Sequence, residues 1–518
     1  MSAKKAIPLI ISAIVAFSAV SVSSACKTNE ASELAAGSEL RVLDGIEFDY
    51  DNMFFDDFSG GVDYDSWYIG KQAWGSSGDG NGGVIPENVN YTDDGVLVLS
   101  GNGDYYTAGD VRGVGSRKDG TLTGAAIISK FLTAPGRYEA KMKVLPRQGA
   151  CTAMWTYAYD TATSGNHEID IELPGGTKSG VITFENVLNT NYITLDGNQS
   201  QDVNLNEATN GNTIVLNDGK WHTFGFDWYT CEQGEDPALQ GEDVTLGKVV
   251  YYVDGIVTAV SDLFVPYYQT RLWLGVWFPN NPGFMGSADF ESDCMYVDWV
   301  KYTPFKNQPF VEFTPPLGTS QVADEREYPS APVSTASVNK VSNGNFEYAA
   351  KGKTNSGWRI DRRVIDNKDL AAMRAQIVAE HPEYTAEQIT EAVNEMRKEI
   401  QALPANEQCI VAEGIGYLDS CGLKVEKRGL INQTIDSVYE GFETELSLLV
   451  KGKGTVSLLF MGYGDDVVEE KTVEVDAENW EETVRSFTAP AGTKKIRIQF
   501  YTELTETLFA DDVNIRIK

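Results

Sequence analysis

Short runs of alternating apolar and polar residues recur from about residue 45 to residue 305. Examples are Gly95–Ser100, Gly136–Val144 and Trp221–Trp228. A strand has a side-chain period of two, and turn residues separate the runs, so the pattern predicts many short β-strands in a sandwich or barrel. The runs on either side of Asp254-Gly255 predict a hairpin, because these two residues accept the positive φ of a tight turn.

A second β-rich stretch is predicted from residue 338 to residue 518, interrupted by helical spacing over 366–403. His381-Pro382 ends the first predicted helix, and Thr385–Gln388 has the form of a capping box that begins the second. The fold class is therefore all-β, with a β-sandwich domain followed by a second β-sandwich that carries a helical-hairpin insertion.

The segment 306–337 differs in texture from both β-rich stretches. Six of the 18 prolines lie between Pro304 and Pro332, with Ser and Thr around them. Proline-rich chain favours an extended, semi-rigid linker. We therefore predict a first domain over 45–305, a linker over 306–337 and a second domain over 338–518.

The N-terminus is typical of a targeting signal. Two lysines precede an apolar run that is short for a membrane span, which predicts a signal peptide over 1–25. The run ends in small residues before Cys26, as in the cleavage box of bacterial lipoproteins. We expect lipidation at Cys26, a tether over 26–44, and a secreted protein anchored at the bacterial cell surface or outer membrane. The alternative is cleavage after Ala25 and a soluble secreted protein.

The net charge restricts the classes of partner and substrate that this 518-residue chain can bind. It has 75 acidic and 42 basic residues, a formal net charge of −33. A nucleic-acid partner needs a basic face, so this class is excluded, and highly anionic polymers are disfavoured. A neutral substrate fits best, and contact with a membrane would come only through a lipid anchor. We expect a monomer.

The six cysteines form no CxxC pair, so no zinc site is predicted. Cys409 and Cys421 are close enough in sequence to pair in an oxidising compartment. The alternative is that these cysteines are free and buried.

The sequence Asn166-His-Glu-Ile-Asp-Ile-Glu-Leu-Pro-Gly175 carries the candidate chemistry. On a strand, Glu168, Asp170 and Glu172 share one face, and the intervening apolar residues share the other. Mutual repulsion raises the pKa of at least one carboxyl group, so one can hold a proton while another is ionised. Glycoside hydrolysis needs such a pair. Glu168 and Glu172 would have Cα atoms about 13 Å apart on a flat strand, which leaves retention or inversion open.

Glu168-Ile-Asp-Ile-Glu172 resembles the signature of glycoside hydrolase family 16, the laminarinase and lichenase family. Other segments resemble the family in the same order along the chain: Phe55–Phe58 with Trp67, Gly124–Ser129, Gly136–Glu139, Asp218–Phe224, Tyr252–Gly255 and Tyr296–Lys301. The resemblance implies a concanavalin-like β-jelly-roll and a retaining double displacement. Glu168 would be the nucleophile, Glu172 the acid/base, and Asp170 the residue that tunes the nucleophile.

The triad has no extra residue before its second glutamate, as in the lichenase-like and transglycosylase-like branches. His167 and Leu173–Gly175 depart from the lichenase pattern, so specificity stays open. Flat apolar faces and planar polar groups suit sugar rings. The sequence-predicted substrate-binding residues are Trp155, His167, Trp273, Trp277 and Asn280. Core packing is the alternative for each tryptophan, and a structural role is the preferred interpretation of His222.

The second domain resembles family 4-type carbohydrate-binding modules. It opens with Asn343-Gly-Asn-Phe-Glu347, a Trp follows at 358, and Asp511-Asp-Val513 lies near its end. The helical insertion departs from that pattern, and a structural spacer is the alternative. Asp465-Asp466 and Asp511-Asp512 are candidates for a structural calcium ion. No catalytic cofactor is expected.

We therefore predict an endo-acting, retaining β-glycoside hydrolase that cleaves a neutral polysaccharide, first a β-1,3/1,4-glucan. The alternatives are an endo-β-galactosidase on host or algal galactans and a non-catalytic glycan-capture surface lipoprotein. Transfer of the cleaved chain to another sugar instead of water also stays open.

Overall fold

The computed structural model describes residues 34–72, 81–106, 120–162, 165–174, 186–193, 197–209, 214, 216, 219–230, 247–279, 285–318, 321–323, 339–347, 349, 357–436, 438–462, 464 and 466–517. The predicted signal peptide, Cys26 and Asn280 lie outside these residues. No helix within the described ranges has the length and hydropathy to cross a membrane.

Strands dominate the first part of the chain. They are β1 Phe54–Asp56, β2 Trp67–Gly70, β3 Asn81–Val84, β4 Val89–Tyr91, β5 Leu97–Asn102, β6 Leu122–Ser129, β7 Gly136–Lys143, β8 Cys151–Asp160, β9 Gly165–Pro174, β10 Asn186–Ile193, β11 Gly197–Asn204, β12 His222–Tyr229, β13 Lys248–Val253, β14 Ile256–Ser261, β15 Arg271–Trp277, β16 Ser292–Pro304 and β17 Val322–Ala323. A one-turn helix, α1 Leu205–Ala208, follows β11.

These strands form two stacked layers. The first layer, which we call the front layer, has the order β11-β10-β9-β8-β15-β6-β2-β17. The back layer has the order β14-β13-β12-β7-β16, and β16 continues to β5 and β1. Side chains from both layers, such as Ile171 and Phe226, are buried in one core between them. The predicted all-β sandwich is confirmed.

The predicted hairpin at Asp254-Gly255 is also confirmed. It joins β13 to β14, and both turn residues have positive φ, 50° and 77°. Residues 34–44, where a tether was expected, pack on the back layer. The amide of Leu40 donates to the carbonyl of Gly255, and Leu34 is buried beside Phe305.

The last part of the chain forms a second sandwich. Its strands are β18 Arg359–Arg362, β19 Cys409–Glu413, β20 Cys421–Glu426, β21 Gly429–Asp436, β22 Glu443–Met461, β23 Val467–Thr488, β24 Lys495–Tyr501 and β25 Thr507–Ile517. The first half of β22 pairs with β25 and the second half with β24, so β22 passes from one layer to the other. Gly452 lies at this change with φ +92°, and a Cβ there would lie 2.1 Å from the carbonyl oxygen of Thr507.

The predicted helical insertion is present as α2 Asn367–Glu380 and α3 Ala386–Ala402, followed by the short α4 Ala405–Gln408. His381 caps the end of α2, and Thr385 and Gln388 form the predicted capping box of α3. A buried ion pair between Arg428 and Asp369 fastens the hairpin to the sandwich. Cys409 and Cys421 are separate buried thiols at opposite ends of the β19–β20 hairpin, so they form no disulfide.

Candidate active site

Strand β9 brings the three predicted carboxylates to one face of the front layer. Side chains along β9 alternate between its two faces. Ile169, Ile171 and Leu173 enter the core between the layers. Glu168, Asp170 and Glu172 therefore point to the outer face of the front layer. The apolar half of the strand anchors the segment, so the acidic half is held on a rigid support.

The neighbouring strands place aromatic and hydroxyl groups beside the carboxylates. On β8, Tyr157 pairs with Glu168 and Trp155 pairs with Asp170. On β10, Tyr192 pairs with Glu168 and Thr190 with Asp170. Directly paired residues on antiparallel strands share a face, so these side chains flank the acidic row.

Hydrogen bonds distinguish the two glutamates. The Nδ2 amide of Asn166 donates to Oε2 of Glu168 over 2.6 Å. The thiol of Cys151 lies 3.9 Å from Oε1 of Glu172, which is a weak contact. Among the described residues, no Lys or Arg forms an ion pair with any member of the triad. The carboxylates are therefore close together without a compensating cation.

This arrangement raises all three carboxyl pKa values. Burial is the largest cause for each group. It raises the pKa of Glu168 to about 7, and burial plus the charge of Glu168 raises the pKa of Glu172 to about 8. Burial and both glutamates raise the pKa of Asp170 well above its usual range. One glutamate can thus be ionised while the other holds a proton, which is the division of roles that an acid and a nucleophile need.

The predicted tryptophans lie on the same face as the acidic row. Trp273 on β15 pairs with Trp155, and their rings stack with centroids 5.3 Å apart. Trp277 is four residues further along β15 and packs against the same apolar cluster. Trp155 and Trp273 are only 5% and 3% exposed, so their neighbours cover most of each ring, whereas Trp277 is partly exposed.

The structure corrects the prediction for His167. This residue has odd spacing from the triad and lies on the opposite face of β9. Its ring is 3% exposed and stacks on Tyr268 with centroids 4.0 Å apart. Burial lowers the pKa of His167 to about 4, so it is a neutral packing residue. His222 also makes a structural contact, since its Nδ1 lies 2.7 Å from a carboxylate oxygen of Asp254.

Several residues near the site were missed in the sequence. Asn166 could have been predicted from the sequence, because it precedes Glu168 by two positions and therefore lies on the same face of β9. Tyr192 lies on β10 and Arg271 on β15. The sequence does not reveal how these strands are aligned with their neighbours, so neither residue could be placed near the site. Arg271 pairs with Tyr157 on β8, one strand beyond the acidic row.

No cluster of three metal-binding side chains occurs among the described residues. Asp511, one of the candidate calcium ligands, accepts hydrogen bonds from the Ser420 hydroxyl and the Tyr417 amide. Asp465 lies outside the described residues, and the calcium site stays a prediction.

Comparisons with known proteins agree with the motif. Residues 87–232 match the family described as glycosyl hydrolases family 16. A β-glucanase from Paenibacillus polymyxa is 24% identical over 229 residues, which cover 42% of this chain and 74% of the relative.

Three glucanases are among the solved structures that match part of this chain. A β-1,3-1,4-glucanase (lichenase) from a mouse hindgut metagenome is 20% identical with a TM-score of 0.36, and the match covers 49% of this chain and 99% of that one. A family 16 endo-glucanase from Bacteroides ovatus is 18% identical with a TM-score of 0.35, over 48% and 99% of the two chains. An endo-β-1,3-glucanase from Pyrococcus furiosus is 19% identical with a TM-score of 0.38, over 52% and 98%.

Proposed function

We propose that this chain is a glycosidase of glycosyl hydrolase family 16 and that it cleaves internal bonds of a neutral polysaccharide with retention of anomeric configuration. The observation that carries the proposal is the acidic row of β9. Its members share one face of the strand, no Lys or Arg of the described residues pairs with them, and the carboxyl pKa of each is raised.

In the proposed mechanism, Glu168 attacks the anomeric carbon while Glu172 protonates the leaving oxygen. The hydrogen bond from Asn166 opposes the rise in the pKa of Glu168, which favours the ionised form that a nucleophile needs. The amide of Asn166 orients the Glu168 carboxylate for attack. Glu172 then removes a proton from water, which releases the sugar from Glu168. Asp170 lies between the glutamates on the same face and tunes the nucleophile through its own proton.

We propose a β-1,3/1,4-glucan as the first substrate. Two observations support it: the triad has no inserted residue, and the β-glucanase of Paenibacillus polymyxa is similar over 229 residues. An endo-β-galactosidase on host or algal galactans is the second candidate, because the residues that follow the triad depart from the lichenase pattern. Water or a second sugar can complete the reaction, so transglycosylation belongs to the same proposal.

The second sandwich is proposed to bind glycan. Trp480 lies between Tyr417 and Phe509, with ring centroids 6.2 and 6.4 Å away, and Tyr417 is 41% exposed. This aromatic surface suits stacking on sugar rings. Trp358, in contrast, is buried against Phe346 and belongs to the core.

We also propose that Cys26 carries a lipid and holds the enzyme at the bacterial surface or outer membrane. Labelling with a radioactive fatty acid tests this, with Cys26→Ala as the control. Loss of label in the variant supports the anchor, and equal labelling contradicts it.

Product analysis tests the catalytic proposal. The protein lacking residues 1–26 is incubated with mixed-linkage β-glucan, laminarin, agarose, keratan-type glycan and mucin, beside its Glu168→Gln variant. Oligosaccharides from a glucan, absent with the variant, support the proposal. Products from a galactose-containing glycan alone support the second candidate, an endo-β-galactosidase. Binding without release from any glycan supports the capture lipoprotein and contradicts hydrolysis.

A further inference from the structure

The connecting segment, residues 306–318 and 321–323, follows the front layer instead of leading away from it. The amide and carbonyl of Val311 hydrogen-bond to Tyr267 and Gln269, just before β15. Further on, Val322 in β17 pairs with Gly70 in β2. The segment expected to be a linker therefore crosses from the start of β15 to the edge of the front layer.

Between these two attachments, the segment packs on the aromatic face beside the acidic row. Leu317 and Val322 contact the apolar cluster that contains Trp155 and Trp273. Gln321 fixes the turn, because its side chain accepts from the amide of Gly318 and donates to Gln72. The segment thus forms a wall along one side of this face.

A cavity of about 280 Å³ lies between the wall and the strands. The strands contribute Tyr157, Tyr159, Arg271 and Trp273, and the segment contributes Pro315 to Gly318 and Gln321. Small-molecule pockets begin at about 300 Å³ and combine apolar walls with a few fixed polar groups. The size and lining suit one part of a glycan chain.

Arg271 supplies a cationic group to the lining of this cavity. It is 8% exposed, and its Nη1 donates to the carbonyls of Ser129 and Lys130 over 2.8 and 2.7 Å. Its Nε is buried and has no hydrogen-bond partner among the described residues, and no carboxylate there pairs with the guanidinium. A buried donor without an acceptor is costly, so an acceptor oxygen from a ligand would complete the site.

The position of the cavity relates it to the acidic row. Glu168, Tyr157 and Arg271 are register partners on the consecutive strands β9, β8 and β15. Strands lie about 4.8 Å apart, so Arg271 is about 10 Å across the sheet from Glu168. A sugar in the cavity would be a neighbour of the cleaved unit in the same chain.

We propose that this cavity is a distal sugar subsite built jointly by the front layer and the connecting segment. Arg271 donates from Nε to a hydroxyl oxygen of the bound sugar, and Leu317 closes the outer wall over it. The proposal rests on the proposed hydrolysis of a glycan and adds a length requirement. Substrates that reach the cavity bind better than those that end before it.

The test compares a short and a long substrate on Arg271→Gln and Leu317→Ala. The probes are mixed-linkage β-glucan oligosaccharides from trisaccharide to heptasaccharide, or galactan oligosaccharides if the product analysis selects them. A hydrogen bond from a charged donor is worth about 1.5–3 kcal/mol, so we expect kcat/KM for the heptasaccharide to fall about 10- to 100-fold in Arg271→Gln, mainly through KM. The shortest cleaved oligosaccharide should be turned over as by the wild type.

Controls separate this proposal from folding effects and from the proposed function itself. Leu263→Ala, an exposed leucine away from the cavity, should leave both substrates unaffected. Titration of Glu168→Gln with each oligosaccharide, followed by tryptophan fluorescence, reports binding without turnover. If the wild-type protein cuts no glycan, the proposed function is wrong. If the wild type cuts normally and the variants lose kcat/KM equally on short and long substrates, or lose none, the proposed subsite is wrong.

Discussion

The acidic row of β9 and the buried carboxylate of Asp293 have opposite electrostatic surroundings. On β9, three acidic groups lie together with no Lys or Arg ion pair from the part of the chain that the structure describes, and burial raises the pKa of each. Where the two sandwiches meet, Asp293 of β16 is fully buried, but the amine of Lys340 lies 2.7 Å from Oδ1 and Nε of Arg147 lies 2.7 Å from Oδ2. Burial alone would raise the pKa of Asp293, and these cations outweigh burial and lower it.

The difference separates a group kept for chemistry from a group kept for structure. A neutralised carboxylate stabilises the folded state but has no proton to give at neutral pH. An unneutralised row is costly to bury and is therefore ready to exchange a proton or attack carbon. The seam formed by Asp293, Arg147 and Lys340 fastens the second sandwich to the first, because Lys340 precedes the second sandwich while its partners belong to the first.

The largest expected effect is on turnover by the β9 row. Glu168→Gln keeps the size of the side chain and the Asn166 contact but removes the carboxylate that we propose as the nucleophile. We expect kcat to fall about 10⁴-fold or more, as for loss of a nucleophile elsewhere. Glu139→Gln on the back layer, which removes a half-buried ion pair with Lys301, is the matched control and should stay active. Residual turnover within tenfold of the wild type would remove Glu168 from this role.

A substitution in the seam formed by Asp293, Arg147 and Lys340 should lower the stability of the protein and leave its turnover unchanged. Asp293→Asn leaves Lys340 and Arg147 without their countercharge, and we expect a loss of about 3 kcal/mol in the free energy of unfolding. Asp298→Asn on the same strand removes an exposed pair with Lys141 and should cost less than about 1 kcal/mol. Calorimetry measures both, and kcat of the folded Asp293→Asn protein should match the wild type. Equal stability losses in the two variants would contradict the structural role of the seam.

How far the sequence predicted these two regions depends on the range of the contacts. The capping box at Thr385 and the shared face of Glu168, Asp170 and Glu172 are local patterns, and the sequence contained them. The seam joins Arg147 to Asp293, 146 residues apart, so no local period reveals it.

The prediction for His167 failed for another reason. It relied on the planar polar ring of His167 alone, although the period of two puts His167 and Glu168 on opposite faces of the strand. Arg271 was missed because its place depends on the register of β15 with β8. Faces within one strand were predictable, and partners across strands were not.

The pH dependence of turnover should reflect the raised pKa values. With the proposed roles, Glu168 gains a proton and cannot attack below a pH of about 7, and Glu172 loses the proton that it donates above a pH of about 8. We therefore expect kcat/KM to be bell-shaped with its maximum between these values, as the pair titrates together. An aryl glycoside with an acidic leaving group needs no protonation, so its alkaline limb should be much weaker. A maximum below pH 5 would contradict the raised pKa values.

The smallest expected effect is a gain in stability. The folded state keeps the proton of Glu172 to a higher pH than the unfolded state does, so ionisation lowers stability as pH rises from about 4.3 through the folded pKa. Glu172→Gln cannot ionise. We expect its unfolding midpoint to rise by about 2–4 °C at pH 8, for about 1 kcal/mol, and to be unchanged at pH 4. A lower midpoint at pH 8 would show that the charge of Glu172 stabilises the fold.

The most direct test of the double displacement on β9 is the anomeric configuration of the first product. Proton NMR is recorded on the polysaccharide that the panel identifies, within the first minutes of cleavage, before the new reducing end mutarotates. The proposed roles of Glu168 and Glu172 predict a β-anomer that later decays to the equilibrium mixture. An initial α-anomer would require attack by water with inversion and would contradict Glu168 as the nucleophile.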